Sequence, residues 1–383
     1  MMMKTTKFFI PAMLIAAAGL SSCKGNQAKQ TDNPAEFITD QAKLEMLQSM
    51  RNLDGIGGFY ELDYTADYKL DECIKYEAVS MPKLGMFVAE KLFDKPVPES
   101  VMAKYGSGCS ALAAKTPEGD CIVGRNFDYA HPEDIAAAVI HTHPANGYKS
   151  ICMVDAYWVG CKRNFYNDGV SDISAIMMFP YAIMDGMNEK GFTISVLHLD
   201  GAGTMQNTGK TPIATSVAMR YLLDNAVDVA DAVAKLKEFD MQVPMENMGN
   251  YHFFLADAEG NSAVVEYVFQ PGEELPNTLD VVDTRYVTNF YVSPKMAEHE
   301  YGGKSNHGRD RYDILGNALK DNDGVLTEEQ AMSVLSAASS PKNPVKLTSN
   351  TQWSIVYNLT DKTATVTTLR NYDKIWSFDL DQK

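Results

Sequence analysis

The sequence predicts an α+β fold in which two antiparallel sheets pack between layers of helices, and three observations predict it. From Cys109 onward, short alternating runs are broken by Gly, Pro, Asn and Asp, the pattern of β-hairpins. Runs with apolar residues three and four apart lie among these hairpins and mark helices. With 383 residues, 45% of them hydrophobic and 22% charged, the chain can bury a sizeable core. That composition excludes wholesale disorder, a collagen-like structure and a polytopic membrane protein.

The first residues precede the fold. Lys4 and Lys7 lead into an apolar run from Phe8 to Leu20, followed by Ser21, Ser22 and Cys23. A basic start, a short apolar stretch and small residues make a secretory signal, and the run is too short to span a membrane as a helix. Leu20-Ser21-Ser22-Cys23 also resembles a bacterial lipobox, which implies cleavage after residue 22, a lipid on the Cys23 thiol and a membrane-anchored place in the cell envelope. Residues 23–36 are polar and without pattern, as a tether would be.

Residues 37–108 read as a mainly helical segment, clearest over 42–50 and 82–93, with GGFYELDYTADYKL irregular or partly extended between them. SALAAK, the turn TPEGD and CIVGRNF form a first hairpin. DGMNEKGF turns into TISVLHL, HFFLADAEGNSAVVEYV folds about Asp257 to Asn261, and SIVYNLTDKTATVTTL folds about Thr360 to Lys362. Thr211 with Pro212 at the first helical position is expected to open SVAMRYLLDNA, and Asp228 to cap VADAVAKLKEF. Near the C-terminus RYDILGNAL and AMSVLSAAS make a helical pair, the second opened by a Thr327/Gln330 capping box.

Net charge and cysteines narrow the partners. Thirty-four basic against fifty acidic side chains leave −16, the wrong sign for a phosphate-backbone binder, so no nucleic acid partner is expected. With Cys23 lipidated, Cys73, Cys109, Cys121, Cys152 and Cys161 remain, an odd number that leaves at least one thiol free. No CxxC pair points to structural zinc.

The chemistry concentrates in residues 108–132. A turn at Pro117 to Asp120 pairs positions whose numbers sum to about 237, which sets Cys109 beside the segment Arg125 to Asp128. A thiol, a guanidinium and a carboxylate then meet. Arg125 favours thiolate over thiol and Asp128 can hold a nearby donor, as a nucleophile needs. A surface hairpin with a small buried cysteine and an Arg–Asp pair is the structural alternative.

Cys109, Arg125 and Asp128 stand within C-S-x-L…G-x-C-x-V-G-R-N-x-D. DGMNEKGF (185–192), VTNFY (287–291) and NTQWSIVYNLTD (350–361) follow in order. Together these motifs resemble the linear-amide hydrolases, the group that includes choloylglycine hydrolase, penicillin V acylase, acid ceramidase and N-acylethanolamine acid amidase. The resemblance runs from Cys109 to about Leu380. It implies an N-terminal-nucleophile fold of αββα layers over 109–383. It also implies cleavage between Gly108 and Cys109, an α-amine that serves as base, and an acyl thioester intermediate, without cofactor or metal. Asn289 matches the family's oxyanion-contributing asparagine. The second site arginine is Arg309 or Arg311, with Arg311 preferred for the residues that follow it. His198 stands where choloylglycine hydrolase has another oxyanion asparagine, so it is a substrate-binding candidate or a satisfied strand residue. The helical preface before a mid-chain cysteine is more like acid ceramidase.

The implied substrate is a small N-acyl amide, whether a bile-salt conjugate, a ceramide-like or N-acylethanolamine lipid, or a penicillin V type compound. Acyl transfer through the same thioester, or a non-catalytic surface binding module on the same fold, are the other functions in view. A homo-oligomer stays open, since symmetric contacts leave no sequence marker. Two further patterns are decoys. His141-Thr-His143-Pro144 with Ser150 and Asp155 imitates a zinc isopeptidase signature at shifted spacing and reads as loop histidines near a cleft mouth. Asp321 to Leu326 imitates half a calcium loop but has Leu319 and Gln330 at its first and last ligand positions. Tyr157, Trp158, Phe165, Tyr166 and Phe179 are candidates for an acyl pocket.

Overall fold

A computed structural model describes residues 38–94, 107–131, 136–166, 173–243, 249–341 and 349–381. The signal, the tether and the lipidation expected at Cys23 lie outside the described residues. The N-terminal part holds α1 (Gln41–Gln48), β1 (Arg51–Asn52), β2 (Phe59–Tyr64), α2 (Leu70–Lys75) and α3 (Met81–Lys91). Then come β3 (Ser107–Lys115), β4 (Cys121–Tyr129), β5 (Ala137–Thr142), β6 (Ser150–Asp155), α4 (Ile173–Ile176), β7 (Ile183–Asn188) and β8 (Thr193–Leu199). The middle adds β9 (Thr211–Ala214), α5 (Thr215–Asn225), α6 (Val229–Leu236), β10 (Phe239–Gln242), β11 (Asn250–Ala256), β12 (Ser262–Val268), β13 (Thr278–Asp283) and β14 (Tyr286–Val287). The C-terminal part is α7 (Arg309–Asp321), α8 (Glu328–Ala337), β15 (Asn350–Asn358), β16 (Thr363–Thr368) and β17 (Trp376–Asp379).

Two large sheets result. One has nine strands in the order β1-β2-β5-β6-β7-β8-β11-β12-β13, and the other six in the order β14-β3-β4-β15-β16-β17. Neighbours are antiparallel except β2 and β5, which run parallel from Phe59↔Ala137 to Tyr64↔Thr142. Alternation along each strand sends one face to the other sheet and the opposite face to helices. Phe59, Val139, Met153 and Leu197 of the larger sheet meet Phe127, Val287, Trp353 and Ile355 of the smaller between the sheets. Outside the larger sheet lie α1 to α6, through residues such as Leu47, Phe87 and Leu222. Leu315, Leu319 and Leu335 of α7 and α8 cover the smaller sheet. The layers are therefore αββα, the arrangement that the hairpin and helix pattern predicts.

The expected hairpins form with their turns at the expected residues. β3 and β4 pair Cys109 with Phe127 and Lys115 with Cys121. β11 and β12 turn about Asp257, whose carboxylate accepts the backbone N–H of Asn261, and β15 and β16 turn about Thr360 to Lys362. Asp228 caps α6 by accepting from the Asp231 N–H, and Thr327 with Gln330 forms a complete capping box on α8.

The helix expected from Thr211 begins later. Thr211 to Ala214 is instead a strand, β9, parallel to β10 from Thr211↔Phe239 to Ala214↔Gln242. Pro212 lacks an N–H, which an edge strand does not need, and the pairing buries Ile213 and Met241. Helix α5 then starts without a side-chain cap. His141 is likewise a strand residue rather than a loop one. It pairs with Glu61 at 3.2 Å across the parallel β2–β5 seam, and His143 pairs with Asp63 at 2.8 Å. Asp155 lies opposite Ala137 at the other end of the hairpin, beside His131 at 3.3 Å, so the zinc-like pattern does not converge. Asp323 and Gly324 form a left-handed turn whose Gly324 carbonyl takes the Lys115 N–H and Arg285.

The segment before residue 95 is built into the larger sheet. Besides its helices it supplies β2, and its Tyr68 hydroxyl donates to Asp224 of α5 at 2.6 Å. Arg220 holds the same carboxylate, 2.6 Å away, with both side chains buried. Scission before Cys109 should therefore leave two fragments that co-elute on gel filtration without denaturant. Separation of the fragments under those conditions would contradict this packing.

Candidate active site

The β3–β4 register brings the candidate residues together. Cys109 faces the layer between the sheets and is 2% exposed. An Arg125 Nη2 donor lies 3.6 Å from its sulfur and 2.7 Å from the Val196 carbonyl of β8. Arg125 is itself completely buried, so its charge needs a partner. The Asp185 carboxylate of β7 supplies one at 3.1 Å, and the guanidinium sits over the Phe127 ring at 5.0 Å. Asp185 in turn accepts from the Tyr357 hydroxyl at 2.6 Å and the Trp353 indole N–H at 3.1 Å.

A second set holds the backbone of Cys109. Its N–H donates to Asn289 Oδ1 at 2.8 Å, and its carbonyl accepts from Arg311 Nη1. Arg311 Nη2 also reaches Asn289 Oδ1 at 2.7 Å, and Nη1 lies 3.4 Å from Asp128. Asp128 accepts from the hydroxyls of Thr351, 2.7 Å away, and Ser340, 2.9 Å away. Of the two arginines, the structure brings Arg311 to Cys109. Arg309 caps loop carbonyls at Gly302, Gly303 and Ser305 and stacks on Phe290.

Residues around the asparagine explain why these side chains converge. Val287 pairs with Ala111 of β3, which ends the strand and leaves Asn289 two residues on, level with Cys109. The Thr288 hydroxyl donates to the Gly308 carbonyl at 3.1 Å. Gly308, at φ +76°, sits so close to Thr288 and to Arg311 that a Cβ there would lie 3.0 and 2.8 Å from them. The left-handed turn thus starts α7 with Arg311 pointing inward.

His198 contributes its backbone rather than its ring to this set. Asn289 Nδ2 donates to the His198 carbonyl at 2.9 Å, while the ring lies 3.5 Å from Asp200. His307 lies 3.0 Å from the other Asp200 oxygen. His198 and then His307 hold the Asp200 carboxyl well below the usual carboxylate range.

Electrostatics in the intact chain favour a neutral thiol. Burial pushes the Cys109 thiol up, and the Arg125 guanidinium opposes this without overcoming it. The expectation that Arg125 would lower the thiol is thus overridden by desolvation. Burial likewise pushes Asp128 up against the opposing pull of Arg311 and the two hydroxyls.

Sequence reading missed Asp185, Ser340 and Thr351 as parts of the site. Asp185 opens DGMNEKG, and a buried arginine's need for a counter-charge was the signal that could have found it. Of the five aromatic candidates for an acyl pocket, Trp158 alone lines the apolar cleft beside β8. Phe165 and Phe179 are core residues 6.2 Å apart. Among the described residues no group of three or more His, Cys, Asp or Glu side chains converges as metal ligands would, and Cys73, Cys109, Cys121, Cys152 and Cys161 are all free thiols. Replacing Asp185 by Asn should strand the Arg125 charge and destabilise the protein by about 3–5 kcal/mol. Denaturant unfolding measures this, and a loss under about 1 kcal/mol would remove Asp185 as the essential counter-charge.

Residues 109–281 match the linear amide C-N hydrolases, choloylglycine hydrolase family. A penicillin V acylase from Pectobacterium atrosepticum is 31% identical over 93 residues, covering 22% of this chain and 25% of the relative. The chain thus aligns with only a quarter of that relative's length. Two solved variants of conjugated bile acid hydrolase from Clostridium perfringens share the fold, at 16% and 17% identity and TM-scores of 0.50 and 0.52. Each comparison covers 72% of this chain and 93% of the other. Over residues 109–281 the chain is thus similar to the linear amide C-N hydrolases of the choloylglycine hydrolase family.

Proposed function

We propose that the protein hydrolyses a linear amide bond of a small N-acyl substrate, with Cys109 as nucleophile. One observation carries this reading: the sulfur, nitrogen and carbonyl of a single buried cysteine are each met by a separate polar side chain, Arg125, Asn289 and Arg311. Packing alone has no use for that arrangement around a residue as small as cysteine.

Cleavage of the Gly108–Cys109 bond frees an α-amine on Cys109. Its ordinary pKa of about 7.7–8.0 suits a base near neutral pH, and it takes the proton from the neighbouring thiol. The thiolate adds to the substrate carbonyl. Asn289 Nδ2 carries two protons, and the His198 carbonyl uses one, so the other can donate to the oxyanion. The amine product leaves with the proton from the α-ammonium, and water then releases the acyl group from the thioester. Arg125 and Asp128 orient the nucleophile, and no cofactor enters any step.

An apolar cleft, partly open to solvent, supports an acyl group as the bound portion. Val196 lines it and lends its carbonyl to Arg125. Tyr251 lines it too, and its phenol is pushed up by burial and by the nearby Cys109 sulfur. Ser80, Met81 and Leu84 of the N-terminal segment form the facing wall. We further infer a lipoprotein, anchored in the cell envelope through Cys23; the polar residues 23–36 support this as a tether.

The test is hydrolysis of a panel of conjugated bile acids, N-acylethanolamines, N-acyl amino acids and phenoxymethylpenicillin, alongside intact mass. Cys109→Ala should abolish turnover, and Asn289→Ala should lower kcat by roughly a hundredfold or more. Full activity in Cys109→Ala, or a single uncut chain inert to thiol-directed amide reagents, defeats the reading. Leu84→Trp should shift preference toward shorter acyl groups, read as kcat/KM across a chain-length series. An unchanged chain-length profile would mean that this wall does not contact the acyl group.

A further inference from the structure

Beyond the cysteine clamp, one buried pair of ionisable side chains has no part in the chemistry above. His252 of β11 and Glu266 of β12 are both fully buried, 3.2 Å apart from Nδ1 to Oε2. The other ring nitrogen, Nε2, lies 2.9 Å from the Thr288 carbonyl. Glu266 accepts the backbone N–H of Val292 at 3.3 Å and of Ser293 at 2.6 Å. Thr288 and Val292 bracket Asn289. We propose that His252 and Glu266 are positioning residues that hold the 288–293 segment, and with it the Asn289 side chain, against Cys109. This rests on the role given to Asn289 above.

Hydrogen-bond accounting supports the assignment. A carbonyl can only accept, so Nε2 carries a proton. Two backbone N–H groups converge on Glu266, and its carboxyl group shares a hydrogen bond with Nδ1. A buried polar pair of this kind gains little stability over apolar side chains of similar size. What it supplies is direction: three bonds to the main chain on both sides of one asparagine, whose own Oδ1 and Nδ2 reach Cys109 N and the His198 carbonyl. The segment has no regular strand pairing after Val287; besides the pair it is held by the Thr288 hydroxyl, by the Tyr291 N–H on the Tyr301 carbonyl at 2.9 Å, by Asn250 on the Tyr291 hydroxyl at 3.0 Å, by Arg311 on Asn289 and by the Ser293–Asp280 contact at 2.6 Å, and the pair alone joins both sides of Asn289 to β11 and β12.

The test uses the full chain with Glu266→Gln and His252→Gln, turnover being normalised to reactive Cys109 by titration with a thiol-directed reagent. In both variants kcat per titrated site should fall by about ten- to a hundredfold while KM stays within about twofold, as for a small misplacement of a reacting group. Crystals of Glu266→Gln should show Asn289 displaced from Cys109 N or from the His198 carbonyl. Should Glu266→Gln fail to fold, His252→Gln carries both measurements, since its amide can still donate to Thr288. Values of kcat within twofold of wild type in the folded variants overturn the proposal, as does a fall in kcat with both Asn289 bonds preserved. If the wild-type protein hydrolyses nothing in the panel, the functional reading fails separately, and the position of Asn289 in the variant crystals still decides this one.

Discussion

The burial of Arg125 between two sheets is the constraint on which the site depends. A guanidinium removed from water is costly unless its charge and its donors are met, and a single counter-ion rarely suffices. Here Asp185 comes from the larger sheet and Arg125 from the smaller, so the ion pair ties the sheets together at one height. Phe127 stacks against the guanidinium, and Arg125 Nη2 reaches both the Val196 carbonyl and the sulfur of Cys109. Asp185 is anchored in turn by Tyr357 and Trp353 from β15. The cysteine's surroundings follow from how the arginine is satisfied.

The backbone of Cys109 is held by a different set of side chains, which meets the first only through strands β4 and β8. Asn289 and Arg311 are tied to each other directly and through Thr288 and Gly308. Arg125 and Asp185 belong to the sheets' mutual packing. A cysteine fixed at its sulfur by one network and at its nitrogen and carbonyl by another has little rotational freedom, which is what the proposed covalent catalysis asks of it. Burial pushes the thiol toward its neutral form, so the proposed mechanism needs a base, and the α-amine that the proposed cleavage would free on the same residue is a physically consistent one.

The N-terminal segment is part of the working structure. Its strand β2 extends the larger sheet, Tyr68 joins the buried Arg220–Asp224 pair, and α3 with the residues before it walls the cleft next to Val196 and Tyr251. Residues 38–94 carry α1, α2 and α3; that they also supply a parallel strand depends on β5, which lies more than seventy residues away in the chain.

Local physics made several features legible from residue order alone. Turn chemistry and period-two alternation set the hairpin registers, so Cys109 could be placed beside Arg125 and Asp128 before any coordinates were known. Caps at Asp228 and Thr327 were equally local, because each bonds within its own first turn. Other features had no local signal. The parallel β9–β10 pair overrode a good helix start at Thr211 and Pro212, since the burial of Ile213 and Met241 outweighed a capping preference. Asp185 as counter-ion and Ser340 and Thr351 on Asp128 join residues 60 to 223 positions apart; His252 and Glu266 share one predicted hairpin, but their support of Asn289 reaches a segment outside it, 36 positions beyond His252. Residue order thus determined the four local hairpins and which side chains share one. Only the stacking of the two sheets decided which charges are buried together, because desolvation and pairing energies exist only once distant segments are packed.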